Sequence, residues 1–306
     1  MLDRHDHVSI APESLFLINI YFKYGNKLIS NETELNKVID DIFKDQKILK
    51  WWKIDKDGFT KHIQKFNLPI STIEIIKQVY VYYAIKNDNQ EIALLGDKNP
   101  EYSLHIKTIL EIFPNAKIIH LVRDPRANIA SYKNVSFDLN NATMLATRWN
   151  NYNKEINNIK NKYPSQVKII KFEKLITDPQ YVLNELTTFL NVDLLEVLEM
   201  KPTGKNLFSW NNKNKSNVLD KTVLDKWKKE LTDADINNIE RATHKLANSF
   251  GYKIKRPKNS ISLGYIFNYN LGIVINKLEL IYFRLPFRLK LFIISLYRKR
   301  TKVLKT

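Results

Sequence analysis

The chain has 306 residues, a formal net charge of +17, 44% hydrophobic and 26% charged residues, and no cysteine. That length allows one or two domains with a sizeable core, the apolar fraction excludes a disordered chain, and the lack of cysteine excludes disulfides, thiolate metal sites and a cysteine nucleophile. The positive charge points to an anionic partner: nucleic acid, an acidic membrane surface or a phosphorylated small molecule.

Residues 1–10 (MLDRHDHVSI) are polar, with no apolar core of a secretory signal. Apolar spacing predicts helices over 33–52 and 71–86. A short apolar run at 92–95, ending at Gly96, reads as a buried strand, and 102–113 has helical spacing that stops at Pro114. Residues 117–122 (KIIHLV) are apolar and β-branched between turn signals, so a strand, and a helix restarts over 126–133 with Pro125 near its first position. A longer helix over 142–162, a strand over 167–172 and a helix opened by Asp178-Pro179 and running through Leu190 follow. The stretch 207–220 is rich in Asn, Lys and Ser and reads as a long loop. The last predicted helix of this part spans 233–250, with Thr232 as N-cap and Gly251 at its end. Alternating helices and apolar strands predict an α/β fold with a parallel sheet covered on both faces.

The charge is uneven. Residues 253–306 carry 13 Lys/Arg and one acid, Glu279, and so hold +12 of the +17. There, basic residues alternate with long apolar groups, as in 281–292 (IYFRLPFRLKLF), a pattern suited to a membrane interface. The uncharged window 259–276 is a weak transmembrane candidate, diluted by Asn, Ser and Gly. The alternative is a helical hairpin packed on the main domain, residues 1–252. Nucleic-acid binding fits poorly, because that main domain is nearly balanced in charge. With no cysteine, the chain fits a reducing compartment; the expected location is the cytoplasm, on the inner membrane face if the tail binds there.

Two segments can carry anion chemistry. At 117–132 (KIIHLVRDPRANIASY) a strand ends beside Arg123 and a helix begins at once. Ligands in α/β sheets bind at the carboxyl ends of strands, a helix start favours phosphate, and an arginine fork matches it. Ser131, two turns on, could add a hydroxyl. The competing reading is a capping Asp-Pro beside a solvated arginine. The second segment, Gly96-Asp97-Lys98-Asn99-Pro100, puts Lys98 at another strand end, where it either neutralises charge on a transferring group or is a plain turn lysine. The histidines show no metal-ligand pattern, and His120 reads as a strand residue.

The run FPNAKIIHLVRDPRANIASY (113–132) resembles the 3′-phosphate-binding segment of sulfotransferases that use 3′-phosphoadenosine-5′-phosphosulfate (PAPS). GDKNP before it, Trp149 after it, VKIIKFEKLITDPQYVLNELTTFLNV (167–192) and WKKELTDADINNIERATHKLANSFGY (227–252) resemble further family segments in the family's order. The resemblance implies a P-loop-NTPase-like parallel sheet flanked by helices over 1–252, with a helical extension over 253–306. It implies that Arg123 and Ser131 bind the cofactor's 3′-phosphate, that Phe172 lies against the adenine, and that Lys98 steadies charge between phosphosulfate and acceptor. Lys215 and Ser216 are weaker candidates for closing over the cofactor. The stretch MLDRHDHVSIAPESLFL resembles one whose glutamate is the catalytic base, which makes Glu13 the base candidate; otherwise Glu13 is a helix-start residue after Pro12.

The implied activity is sulfuryl transfer from PAPS, without a metal, to a hydroxyl of an acceptor, with carbohydrate favoured; the alternative is a non-catalytic relative that binds nucleotide or membrane. In the family, a first strand and a 5′-phosphosulfate loop precede the "mLd.H" helix; here the sequence begins at Met1 inside that stretch, so the resemblance implies an N-terminally truncated sheet that lacks this strand and loop. The chain as written is therefore expected to be inactive or barely active, and poorly soluble.

Overall fold

Among the described residues, three strand pairs join segments distant in the chain. The structure is a computed structural model that describes residues 2–4, 7–87, 93–133, 140–193, 220–285 and 289. The chain forms two compact units, one of Met1–Asn99, Lys107–Ile112 and Leu278–Thr306, the other of Pro100–Ile106 and Phe113–Lys277.

In the first unit, strand β1 (Val8–Ala11) is followed by helix α1 (Phe16–Tyr24), strand β2 (Leu28–Ile29) and helices α2 (Glu32–Ile42), α3 (Gln46–Lys50) and α4 (Lys56–Ile63). Strand β3 (Ile70–Ser71), helix α5 (Thr72–Lys86), strand β4 (Leu94–Asp97) and helix α6 (Ile106–Ile112) come next, α6 starting one residue before its segment of this unit. β1 runs parallel to β4 in the register Val8↔Leu94 to Ala11↔Asp97, and β2 pairs antiparallel with β3. Parallel strands need a long crossover, and the block from α1 to α5 supplies it.

Two sequence expectations change here. The helix over 33–52 is two helices, because Asp45 starts a new one: its side chain accepts the Lys47 N–H at 2.9 Å and caps α3. The N-terminal stretch, taken as the inside of a helix, is a short 3₁₀ turn at Leu2–Arg4 and then β1, where Val8 and Ile10 suit a strand. α2 forms as expected: the Asn31 side chain accepts the Glu34 N–H, and Leu35, Val38, Ile39 and Ile42 are buried at helical spacing. The core beside β1 is aromatic, with Phe16 edge-on to Trp52 at 5.3 Å and Trp52 tilted against Tyr80 at 5.3 Å.

The second unit holds strand β5 (Ile118–Val122), helices α7 (Pro125–Lys133) and α8 (Ala142–Ile159), strand β6 (Val167–Lys171) and helices α9 (Phe172–Thr177) and α10 (Pro179–Leu190). Helices α11 (Trp227–Glu230), α12 (Asp233–Ser249) and α13 (Leu263–Arg284) follow, α13 lying in this unit as far as Lys277. β5 and β6 are parallel, Ile118↔Val167 to Val122↔Lys171. α7, α8 and α12 pack through Ile129, Ala130, Leu145, Ala146 and Ile239. A capping box fixes the start of α12: Thr232 accepts the Asp235 N–H and Asp235 accepts the Thr232 N–H. Of residues 253–306, for which a helical hairpin was the alternative reading, the described part holds helix α13; residues 286–288 and 290–306 lie outside the described residues. No helix among the described residues is long and apolar enough to cross a membrane.

The architecture is thus mixed α/β, with parallel strand pairs flanked by helices. The cover is incomplete: Leu95 on β4 and Leu121 on β5 are exposed, where buried strands were expected.

Candidate active site

Pro12-Glu13-Ser14 leaves the carboxyl end of β1, and Lys98-Asn99 leaves that of β4. Because the strands are parallel with Ala11 opposite Asp97, both turns emerge at the same end of the pair. Glu13 and Lys98 meet there as an ion pair, although 85 positions separate them. The Glu13 side chain is mostly covered and that of Lys98 largely exposed (19% against 65%).

The Glu13 backbone is held from three directions. Trp52 Nε1 donates to the Pro12 carbonyl at 2.9 Å, Asn99 Nδ2 donates to the Ser14 carbonyl at 2.9 Å, and Ser14 Oγ donates to Asp45 Oδ2 at 2.7 Å. Asp45 therefore both starts α3 and anchors the residue after Glu13. On the opposite turn, Tyr80 donates to Asp97 at 2.8 Å. A carboxylate positioned this firmly can accept a proton, and an ammonium beside it can offset developing negative charge. Glu13 lies three positions before Phe16, the first residue of α1, and so outside the helix.

In the second unit, β5 ends at Val122 and Arg123-Asp124 turns into α7. Arg123 lies over the Phe172 ring at 4.6 Å and donates through Nη2 to the Val223 carbonyl at 2.8 Å. Its Nε is buried with no hydrogen-bond partner among the described residues. Burial pulls the guanidinium below its ordinary value, and Glu173 first, then Asp124, oppose the shift. A stacked guanidinium with an unsatisfied donor suits a phosphate oxygen. Phe172 touches Arg123 directly. Ser131 is exposed on α7. Lys215 and Ser216 lie outside the described residues.

The turn that carries Arg123 is braced by further groups, of which Glu173, Tyr252, Arg126 and Asn153 were not singled out in the sequence. Glu173 accepts the Asp124 N–H through Oε1 at 2.9 Å. The Tyr252 hydroxyl lies 2.8 Å from Glu173 Oε2 and 3.2 Å from the Val122 carbonyl, and gives its one proton to the nearer. Burial and the Glu173 charge push the Tyr252 phenol far above its ordinary value, so it remains a donor. Arg126 clamps Asp124 through Nη2–Oδ2 at 2.7 Å, reaches Glu240 at 2.9 Å and covers the Trp227 ring at 4.3 Å. Trp149 Nε1 donates to the Arg123 carbonyl at 3.2 Å. Asn153 donates through Nδ2 to the Trp149 carbonyl at 2.7 Å, leaving Oδ1 to accept from His120 Nε2 at 2.8 Å, so His120 carries its proton on Nε2. Glu173 and Tyr252 both fall inside the family-like runs, in FEKL and at the end of SFGY, which was the available signal. Among the described residues no group of three or more acidic or histidine side chains forms a metal set.

An α/β chain with basic side chains just past the carboxyl ends of parallel strands is the class these features define. The chain belongs to the sulfotransferase family, whose model matches residues 1–196. It is 31% identical over 108 residues to the omega-hydroxy-beta-dihydromenaquinone-9 sulfotransferase of Mycobacterium bovis, covering 31% of this chain and 28% of that one. It is 27% identical over 103 residues to a Caenorhabditis briggsae protein provisionally named a protein-tyrosine sulfotransferase, covering 32% and 37%. The chain thus spans about a third of the length of the curated relatives it matches. Two solved structures share the fold. One is the sulfotransferase domain from the curacin biosynthetic pathway (TM-score 0.50, 20% identity, 84% of this chain and 92% of that one). The other is the sulfotransferase domain of the Synechococcus PCC 7002 olefin synthase (TM-score 0.50, 21% identity, 81% and 94%).

Proposed function

We propose that this chain transfers a sulfuryl group from PAPS to the hydroxyl of an acceptor, with residues 1–252 as the sulfotransferase part and 253–306 as a basic tail. The observation that carries the reading is the Glu13–Lys98 pair at the carboxyl ends of two parallel strands, in a chain of the sulfotransferase family. Glu13 takes the acceptor proton as the acceptor oxygen bonds to sulfur. The bond from sulfur to the bridging phosphate oxygen breaks, and its electron pair leaves with adenosine 3′,5′-bisphosphate. Lys98 offsets the charge on that bridging oxygen. Arg123 and Ser131 take the 3′-phosphate, supported by the unsatisfied Arg123 Nε; Phe172 borders the adenine while stacking on Arg123. All these donors are side chains of the chain itself.

Carbohydrate hydroxyls remain the favoured acceptor, although the named relatives carry a menaquinone derivative and protein tyrosine in their names. The test is transfer of labelled sulfate from PAPS to an oligosaccharide, a quinol-type alcohol and a tyrosyl peptide, beside calorimetry with adenosine 3′,5′-bisphosphate. Turnover that Glu13→Gln abolishes supports the reading. Nucleotide binding without transfer to any acceptor marks a non-catalytic relative and overturns it. We place the chain in the cytoplasm, peripheral on the inner membrane face through its basic tail.

A further inference from the structure

Helix α13 has two unlike faces. One is packed: a Cβ on Gly272 would collide with Thr147 Oγ1 and sit 3.2 Å from the Met144 backbone, and Asn276 Nδ2 donates to Thr147 Oγ1 at 3.3 Å. The other is apolar and open. Leu263, Phe267, Leu271, Val274, Leu278 and Ile281 are all exposed, from 37% at Leu271 to 85% at Leu263. Their spacing of four, four, three, four and three residues draws one stripe along the helix.

Charge follows the same geometry. At roughly 100° per residue, Asn270, Lys277 and Arg284 form a line along one edge of that stripe, and all three are exposed. Glu279, the one acid among residues 253–306, falls on the far side from the stripe. Lysine and arginine at the edge of an apolar stripe can reach headgroups while their stems stay with the apolar groups. The helix is not apolar enough to cross a bilayer. A second copy of the chain is a poor occupant, because each would bring +12 in its last 54 residues against the other.

We infer that the Leu263–Ile281 stripe of α13 is the surface that seats this protein in an anionic bilayer interface, the helix lying in the membrane plane. This rests on the membrane reading of the basic tail and assigns it to named residues; it is independent of the sulfuryl-transfer chemistry.

The test is flotation of the full chain with phosphatidylcholine vesicles, with and without phosphatidylglycerol, for the natural sequence and for a variant carrying Leu263→Ser, Phe267→Ser and Leu278→Ser. These side chains are exposed, so circular dichroism and the unfolding midpoint should match between the two. The natural chain should bind the anionic vesicles and bind neutral ones weakly, and the variant should lose on the order of a hundredfold in partitioning. Equal binding by both overturns the assignment to α13 while leaving the tail as the membrane contact. No binding by the natural chain overturns both. A vesicle-free dimer that the variant abolishes makes the stripe a self-interface, and also overturns the inference.

Discussion

Tyr252 and Glu173 hold the Arg123 turn from behind: the phenol donates to one carboxylate oxygen at 2.8 Å while the other accepts the Asp124 N–H at 2.9 Å. Neither side chain presents a free cation, yet together they set where the cation-bearing turn lies. Tyr252→Phe should cost about 1.5–3 kcal/mol of stability, the scale for a hydrogen bond to a charged group. It should also weaken adenosine 3′,5′-bisphosphate binding, read by chemical denaturation and calorimetry. A stability loss with unchanged nucleotide affinity would reduce the pair to a structural brace.

Arg123 combines stacking on Phe172 with an unsatisfied Nε. Arg123→Ala should lower affinity for adenosine 3′,5′-bisphosphate by about ten- to a hundredfold, in line with loss of a charge-assisted contact. Arg123→Lys should recover only part of it, because an ammonium has neither the planar fork nor the ring-stacking surface. Full recovery by lysine in a titration would show that charge alone matters there.

At the other strand pair, Glu13→Gln keeps size and shape but removes the proton acceptor. Turnover should fall about 10²–10⁴-fold with nucleotide affinity retained. Lys98→Met should reduce turnover by about 10²–10³-fold, the scale for losing one electrostatic stabiliser. Equal loss of nucleotide binding in Glu13→Gln would contradict its role as base.

His120 supplies a pH signature. Burial holds its imidazole below the ordinary 6.5, with the Asn153 hydrogen bond opposing. Below pH 6.5 the unfolded chain therefore binds a proton that the folded chain resists. The stability linked to this group is complete above that value and declines as pH falls, until the folded imidazole also titrates. The unfolding midpoint of the natural chain should drop between pH 8 and pH 5.5 more steeply than that of His120→Gln. Parallel curves would remove His120 as the source.

Local signals read well in this sequence. Asp178-Pro179 at the start of α10 and the Thr232–Asp235 box at the start of α12 are short-range devices, and both helices lie where the residues place them. The strand ending at Val122 was legible from its β-branched run. The break at Asp45 was not, because apolar spacing continues across it and only the cap reveals it. β1 was hidden by a resemblance to a helix. Glu173 and Tyr252 escaped notice because their partners, 49 and 79 positions away for the Asp124 and Tyr252 bonds to Glu173, have no local pattern. Arg123 and Lys98 stood out because each follows a predicted strand, and each directly follows a strand end in the structure.

The crossover from β1 to β4 also bears on kinetics. The meeting of Glu13 and Lys98 closes a loop across an 85-residue separation, whose entropy cost must be met before the contact can reward it. Local collapse will bury much of the helical core before that loop closes. The Glu13–Lys98 contact is therefore expected late on the folding route, and recovery of turnover after dilution from denaturant should lag behind recovery of helical signal.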